Sequence, residues 1–352
     1  MNADNFPFLH QIVIVGGGAG GLELATRLGD TLGKKRRAQI TLIDKTSTHL
    51  WKPLLHEVAA GSMDLDTHSL EYLAQAYWHH FRFRLGSMDG LDRAARQVYV
   101  APTFDEQGNE LIPRHEVAYD TLIICVGSTT NDYGTPGAAE HAIALDTAEE
   151  AERFRQRLIN ACIRANAQAG PLRPGQLHVA IVGGGATGLE LAAQLHNTTR
   201  QLVVYGLDEI DPEKDIKLHI IEAAERILAA LPKRLSDAVE EQLKRLGVQI
   251  YTGERVTEVM ADAVRTQNGK TIAAELVVWA AGIKAPDFLR GLDGLETNSM
   301  NQLIVRPTLQ TTLDENIFAF GDCASCPWPG KNTSVPPRAQ AAHQQASFLV
   351  KA

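Results

Sequence analysis

Cysteine is scarce: the 352 residues hold four, Cys125, Cys162, Cys323 and Cys326. So few, so scattered, exclude a disulfide framework and fit a reducing compartment. Only Cys323 and Cys326 lie close together. They lack the second pair of a zinc site and the strand-to-helix setting of a redox motif, and are read as structural or incidental. His56, His343 and the His79–His80 pair show no metal-ligand spacing and are read as structural or solvated. Long apolar runs are also missing. No segment approaches the roughly 20 residues that cross a bilayer, and the opening MNADNFPFLHQIVIVG has neither a basic n-region nor a cleavage site. The mature chain is therefore expected to begin in the cytoplasm. Positive charge is not in excess either. With 34 Lys and Arg against 42 Asp and Glu, net charge −8 and a pI near 5.8, nothing suggests a nucleic-acid partner.

What is present is a globular composition, 44% hydrophobic and 22% charged, at a length that suggests about two domains. It is also a composition used twice. QIVIVGGGAGGLELA, Gln11 to Ala25, returns as HVAIVGGGATGLELA, His178 to Ala192. Each copy reads as a buried parallel strand, then G-x-G-x-x-G, then a helix. In the glycine sets Gly16, Gly18, Gly21 and Gly183, Gly185, Gly188, the first glycine permits the tight turn and the second lets backbone approach a pyrophosphate. The third lets helix and strand pack, so that phosphate meets the free amides of a helix N-terminus.

One such motif is weak, and the fingerprint needs a ribose-binding acid at the end of the next strand. The first copy has Asp44, closing QITLID; the second has Glu222, closing IKLHIIE after a charged insertion, Asp208 to Asp215. Arg226 reads as an i,i+4 surface partner of Glu222 on a helix start. The repeat extends to an acid, an apolar strand and a terminal glycine: Asp120 to Gly127, and Glu275 to Gly282. Around Arg96–His115 and Tyr251–Thr271, alternating residues with turns at Gln107–Asn109 and Asn268–Gly269 read as antiparallel insertions. The stretch Gly170–Gly175 punctuates the boundary between the halves. Two dinucleotide seats suggest two cofactors, one reducing the other.

A third segment bears on which goes where. Thr311 to Asp322 is a strand delivering Gly321-Asp322, and it resembles the flavin-binding segment of two-dinucleotide-binding-domain flavoproteins. The resemblance implies FAD on the Gly16 copy, with Asp322 on the ribityl chain, and NADH on the Gly183 copy. It also implies that the chain returns to its first domain after the second. The fold class is then α/β: two Rossmann-like dinucleotide-binding domains, the second inserted in the first, with antiparallel β insertions. The expected boundaries are 1–146 and 290–352 for FAD and 147–289 for NADH. Preference for NADH over NADPH rests on Glu222, whose carboxylate accepts from a ribose 2′-OH and repels a 2′-phosphate.

Three runs, HLWKPLLHE (His49 to Glu57), WAAGIKAP (Trp279 to Pro286) and AQAAHQQ (Ala339 to Gln345), are similar to those of type II NADH dehydrogenases, single-subunit NADH:quinone oxidoreductases. The resemblance spans essentially the whole chain. It implies that Gln340 and Gln344, on one helical face, meet the flavin edge and a quinone headgroup, ubiquinone or menaquinone. It places an acid, Glu190, near the nicotinamide and quinone, where quinone reduction needs protons; its repeat mate Glu23 has no such neighbour and reads as structural. Lys52 is expected by the flavin ring. Together the residues expected to hold the cofactors are Gly16, Gly18, Ala19, Gly20, Gly21, Asp44, Lys45, Lys52, Met88, Gly127, Gly321, Asp322 and Ala339, with Gly183, Gly185, Gly188, Glu222 and Gly282. The resemblance also implies an amphipathic C-terminal membrane segment after the glutamine helix; this sequence stops at Ala352, so either the segment belongs to a longer chain or the protein is expected to anchor otherwise, and membrane docking and a homodimer stay open. The expected place is the cytoplasmic face of the inner membrane, peripherally attached. Lys34–Arg37, between the first helix and the next strand, reads as a solvated loop rather than a lipid contact.

Related chemistries fit less well. Disulfide reductases of this fold carry C-x4-C after the first ribose acid, where this chain has Trp51 to His56, and no cysteine pair faces the flavin as in sulfide:quinone oxidoreductases. A reductase feeding a ferredoxin- or rubredoxin-like protein, or a non-catalytic redox sensor, stand as alternatives; the first calls for a basic docking patch that the acidic balance disfavours.

Overall fold

A computed structural model describes residues 9–64, 68–204 and 206–352. The opening residues 1–8, read above for a leader, lie outside them. Two compact units form: one from Met1–Trp51, Ser69–Thr129 and Ile283–Ala352, the other from Lys52–His68 and Thr130–Gly282.

In the first unit the apolar run before the glycines becomes the strand His10–Val15, central in a five-stranded sheet. The order is Ile317–Ala319, Thr121–Ile124, His10–Val15, Ala38–Asp44, Arg82–Leu85, all parallel. Runs without alternation are what a parallel sheet covered on both faces requires: Ile14, Leu42, Leu122, Ile124 and Ile317 are fully buried. Each contributes about 1.5–3 kcal/mol of transfer free energy. A three-stranded antiparallel sheet (Met88–Asp92, Gln97–Val100, His115–Ala118) and a hairpin around Gln107–Asn109 form the insertion. The last helix, Ala339–Leu349, packs on the first, Ala19–Leu28, through small residues. A Cβ on Gly20 would stand 3.3 Å from Cβ of Ala342, and Ala346 is fully buried.

The second unit repeats the plan: Ala142–Ala144, Leu276–Trp279, His178–Val182, Lys217–Ile221, Gln249–Tyr251, again all parallel. Its antiparallel insertion is Val256–Val259, Ala263–Thr266, Thr271–Ala273. The long helix Ala148–Ala167 starts at a capping box in which Thr147 and Glu150 satisfy each other's amides. Gly170–Gly175 connects this helix to the strand His178–Val182, so it lies inside the second unit rather than between the halves; the chain changes unit at Trp51–Lys52, His68–Ser69, Thr129–Thr130 and Gly282–Ile283.

The acids before the closing strands have a shared purpose. Asp120 accepts from the amide of Gln11 at 2.8 Å, and Glu275 from that of Leu177 at 3.2 Å. Each pins the start of a glycine strand to its neighbour, which fixes the register on which the turn at the other end depends.

Candidate active site

Both glycine turns are built alike. The amides of Gly16 and Gly183 each donate at 2.8 Å to the residue just before the acid on the adjacent strand, Ile43 before Asp44 and Ile221 before Glu222. Both glycines have positive φ, +104° and +117°. The strand-end acids then close the turns. Asp44 accepts from Gly17 N at 2.5 Å and, through its other oxygen, from Thr46 N at 2.9 Å. Glu222 accepts from Gly184 N at 2.6 Å and from Ala224 N at 2.7 Å. The carboxylates thereby stand fixed at the turn, with lone pairs left for a ribose.

Room for a ligand is specific to one glycine in each turn. A Cβ on Gly21 would lie 1.9 Å from Gly16 O, and one on Gly188 2.2 Å from Gly183 O, so these hold helix against strand. Gly18 and Gly185 are exposed, and a Cβ on either would meet nothing within 4 Å. Gly18 is the N-cap of Ala19–Leu28 and offers no side-chain cap, so the first amides of that helix, those of Ala19, Gly20 and Gly21, have no acceptor within it. A pyrophosphate fits both places.

In the first unit two side chains that the motif reading missed brace the turn. Tyr72 Oη donates at 2.7 Å, and His49 Nδ1 binds at 2.9 Å, to the carbonyl of Gly17. The Tyr72 ring lies where a Gly17 side chain would be and stacks on Phe83, centroids 5.0 Å apart. Burial, then the Asp44 charge, holds the Tyr72 phenol well above its usual range, and burial lowers His49, so both are neutral donors. Only His49 was signalled, by the run it begins.

Asp322 follows strand Ile317–Ala319 and accepts from Ser128 Oγ at 2.9 Å, while Gln302 donates to its carbonyl at 2.9 Å. Gly127, at φ +70°, ends the neighbouring strand with nothing near a Cβ. Gly321 N donates to Gln345 Oε1 at 2.9 Å. The glutamine that touches the Gly-Asp segment is thus Gln345, which pairing by four residues did not single out. Gln340 and Gln344 line a cleft of about 410 Å³ with Cys326, Trp328, Val335 and Phe348, and Gln345 borders it as well. Ala342 and Ala346, on the helix face opposite, make the packing contact described above. Ala339 is the exposed first residue of this helix. Met88 is a buried core residue at the head of its strand, and Lys45 is exposed beside Asp44.

Glu23, read as structural, has partners of its own. It binds Arg27 at 3.0 Å and His343 Nδ1 at 2.6 Å, and Arg27 donates to Ser347 at 2.6 Å. The carboxylate sits where the first and last helices cross, so it fastens them. His79 Nδ1 similarly meets Asp30 at 3.0 Å.

In the second unit, Lys52 pairs with Asp146 at 2.8 Å, and Asp146 also accepts from Thr130 N. Glu190, on helix Ala186–Val204, has a half-exposed side chain 3.7 Å from Nδ1 of His56. That nitrogen is buried without a hydrogen-bond partner. Gly282, at φ +73°, closes against Tyr133, whose hydroxyl would lie 2.1 Å from a Cβ. The expected Arg226–Glu222 pair does not form. Ile221 ends the strand and no helix follows, so i,i+4 geometry is lost; Arg226 instead donates to the carbonyls of Leu228, Ala229 and Leu231.

All four cysteines are free and buried. Burial raises every thiol: Cys162 to about 11, Cys323 to about 12, Cys125 well above its usual value and Cys326 less far. None is a poised thiolate. Among the described residues no cluster could hold a metal ion, and no helix is long and apolar enough to cross a membrane.

Comparison with known proteins agrees with this arrangement. The family model for pyridine nucleotide-disulphide oxidoreductases matches residues 10–346. A Type II NADH:quinone oxidoreductase of Haemophilus influenzae is 42% identical over 355 residues, covering 97% of this chain and 80% of that protein. The Type II NADH:quinone oxidoreductase NdhA of Mycobacterium tuberculosis is 28% identical over 96% of this chain and 70% of its own. The fold matches NDH2 of Plasmodium falciparum, solved in complex with NADH, with a TM-score of 0.82 at 19% identity, over 97% of this chain and 82% of that one.

Proposed function

The chain belongs to the pyridine nucleotide-disulphide oxidoreductase family and, within it, to the type II NADH:quinone oxidoreductases, and from that premise we propose that it carries electrons from NADH through FAD to a membrane quinone without pumping protons. The observation that carries the reading is the doubled seat: two glycine turns, each closed by its own carboxylate and each open at one glycine.

When bound, FAD accepts a hydride from NADH and returns two electrons to the quinone. The chain's part is to bind, orient and handle protons. Gly16–Gly21 and Asp44 would hold the pyrophosphate and ribose of FAD, with Asp322, steadied by Ser128, on its ribityl chain. Gly183–Gly188 and Glu222 would hold NADH. The negative charge of Glu222 disfavours a 2′-phosphate, and Arg226, engaged with three carbonyls, does not offset it. The amides of Gln340 and Gln344 are suited to a quinone carbonyl and the rings of Trp328 and Phe348 to its apolar body. To Glu190 we assign proton delivery, its carboxylate being solvent-accessible and backed by His56. Raised thiols give no support to disulfide or sulfide chemistry. Peripheral attachment at the cytoplasmic face of the membrane, where the quinone is dissolved, belongs to the same proposal, as does a homodimer.

The test is steady-state oxidation of NADH by ubiquinone-1 or menadione, set against a ferredoxin or rubredoxin as acceptor. Faster turnover with the quinone is expected; turnover with the protein acceptor alone would replace the reading.

A further inference from the structure

The short helix Tyr72–Trp78 has one stripe in the core and one in solvent. Tyr72 and Ala76, four residues apart, are 2% and 7% exposed, whereas Leu73 and Tyr77 are 66% and 82% exposed and Trp78 is 61%. Leu70, just before the helix, is 49% exposed. Large apolar side chains gathered this way on a surface mark an interaction site.

The turn beside them carries the opposite kind of residue. Gly29 and Gly33 approach the backbone at the end of the helix so closely that a Cβ would stand 1.8 Å from His79 O and 2.3 Å from His80 O. Asp30, the nearest acid of the turn, meets His79 Nδ1 at 3.0 Å. This contact sets Lys34, Lys35, Arg36 and Arg37, all exposed, next to the aromatic stripe, with exposed Arg82 two residues beyond His80. Among the described residues none of the four forms an ion pair. Read as a sequence, the run is a solvated loop, because the aromatic helix lies some 40 positions away and only folding brings them together.

We propose that this corner, Lys34–Arg37 with Leu73, Tyr77 and Trp78, is a docking surface for an anionic bilayer. The charge together with the rings beside it favours this occupant. Tyr and Trp favour the headgroup level, where each ring has an apolar body and a polar tip. Each Lys or Arg at an anionic surface strengthens partition on the order of fivefold. A second copy is the poorer occupant, since a two-fold contact through this corner would bring the cationic run toward its own image. The inference rests on the membrane-quinone reading for its purpose only, since vesicle binding needs no turnover.

The flavin-loaded chain should co-sediment with phosphatidylcholine vesicles containing phosphatidylglycerol, much less with pure phosphatidylcholine, and be released by salt. Lys34→Glu with Lys35→Glu should weaken binding by roughly tenfold or more. Tyr77→Ser with Trp78→Ser should weaken it while leaving the salt dependence. Turnover of NADH with soluble menadione should be unchanged in both, which shows that they fold. Wild-type chain that ignores anionic vesicles, or variants that bind as well as wild type, would overturn the proposal. So would variants that turn a dimer into a monomer in analytical ultracentrifugation, since the corner would then bind a second copy. Failure with menadione turnover intact removes the docking corner alone, whereas loss of quinone turnover in the wild type removes the functional reading.

Discussion

Glu222 accepts the amide hydrogen of Gly184 at 2.6 Å across 38 positions of sequence, and holds the second glycine turn as Asp44 holds the first. The same carboxylate is therefore both a strut of the turn and the charge that a nucleotide ribose would meet.

Glu222→Gln keeps an oxygen to accept from one amide and removes the charge. Discrimination against NADPH should relax by at least roughly fivefold, the scale of one charge–charge term at a few ångströms in a solvated site. The check is kcat/KM for NADH and NADPH in wild type and variant. Unchanged selectivity would place the acid outside the ribose site.

Gly18 and Gly185 give a way to tell the two seats apart. Gly18 has φ −60°, which alanine adopts freely, and a Cβ at either position meets no protein atom within 4 Å. Gly18→Ala should thus fold yet lose FAD on purification, while Gly185→Ala should keep FAD and raise the KM for NADH by about tenfold or more. Gly21→Ala should fail earlier, in folding, because its Cβ would sit 1.9 Å from Gly16 O. Flavin content and thermal melts of the three variants check this; loss of flavin from Gly185→Ala would exchange the two assignments.

The three glutamines of the last helix should separate by function. Gln340→Leu or Gln344→Leu removes an amide from the cleft, a hydrogen bond worth about 0.5–1.5 kcal/mol, and the KM for quinone should rise by up to roughly tenfold with flavin content unchanged. Gln345→Leu removes the acceptor for Gly321 N, so it should lower flavin retention first. Equal effects of all three on flavin content would take the quinone role from the first two.

The second unit also carries a pH-dependent stability. Burial, then the neighbours His178 and Lys217, pushes His219 down to about 4. In the unfolded chain a histidine titrates near 6.5. Between these values the unfolded state binds the proton and the folded state does not, so the contribution is whole above pH 6.5 and lost as pH falls toward 4. Its size is roughly 3 kcal/mol. His219→Phe should flatten the acid side of the stability curve measured by urea unfolding; an equally steep slope would mean other groups set it.

Much of this was legible in the sequence for a physical reason: close packing of backbone on backbone leaves glycines, and a parallel strand leaves an unbroken apolar run. Gly16, Gly183, Asp44 and Glu222 mark both turns, and Asp120 and Glu275 mark both closing strands. What was not legible depends on residues distant in sequence that fold onto each other. Tyr72 carries no motif, and its place against Gly17 arises only because folding brings together residues 55 positions apart. Glu23 reads as structural, but what it fastens shows only when the last helix brings His343 to it. Arg226 was misplaced because a helix was assumed where the backbone turns instead, with Leu228 at φ +47°.

The most direct measurement is anaerobic stopped-flow absorbance of the purified yellow protein, first mixed with NADH and then with ubiquinone-1. The expected result is rapid bleaching of the oxidised flavin band by NADH, its full return on adding quinone, and FAD rather than FMN released on denaturation. A band that NADH bleaches and quinone does not restore, or the release of FMN or of no flavin, would contradict the assignment of this chain as an NADH:quinone oxidoreductase working through FAD.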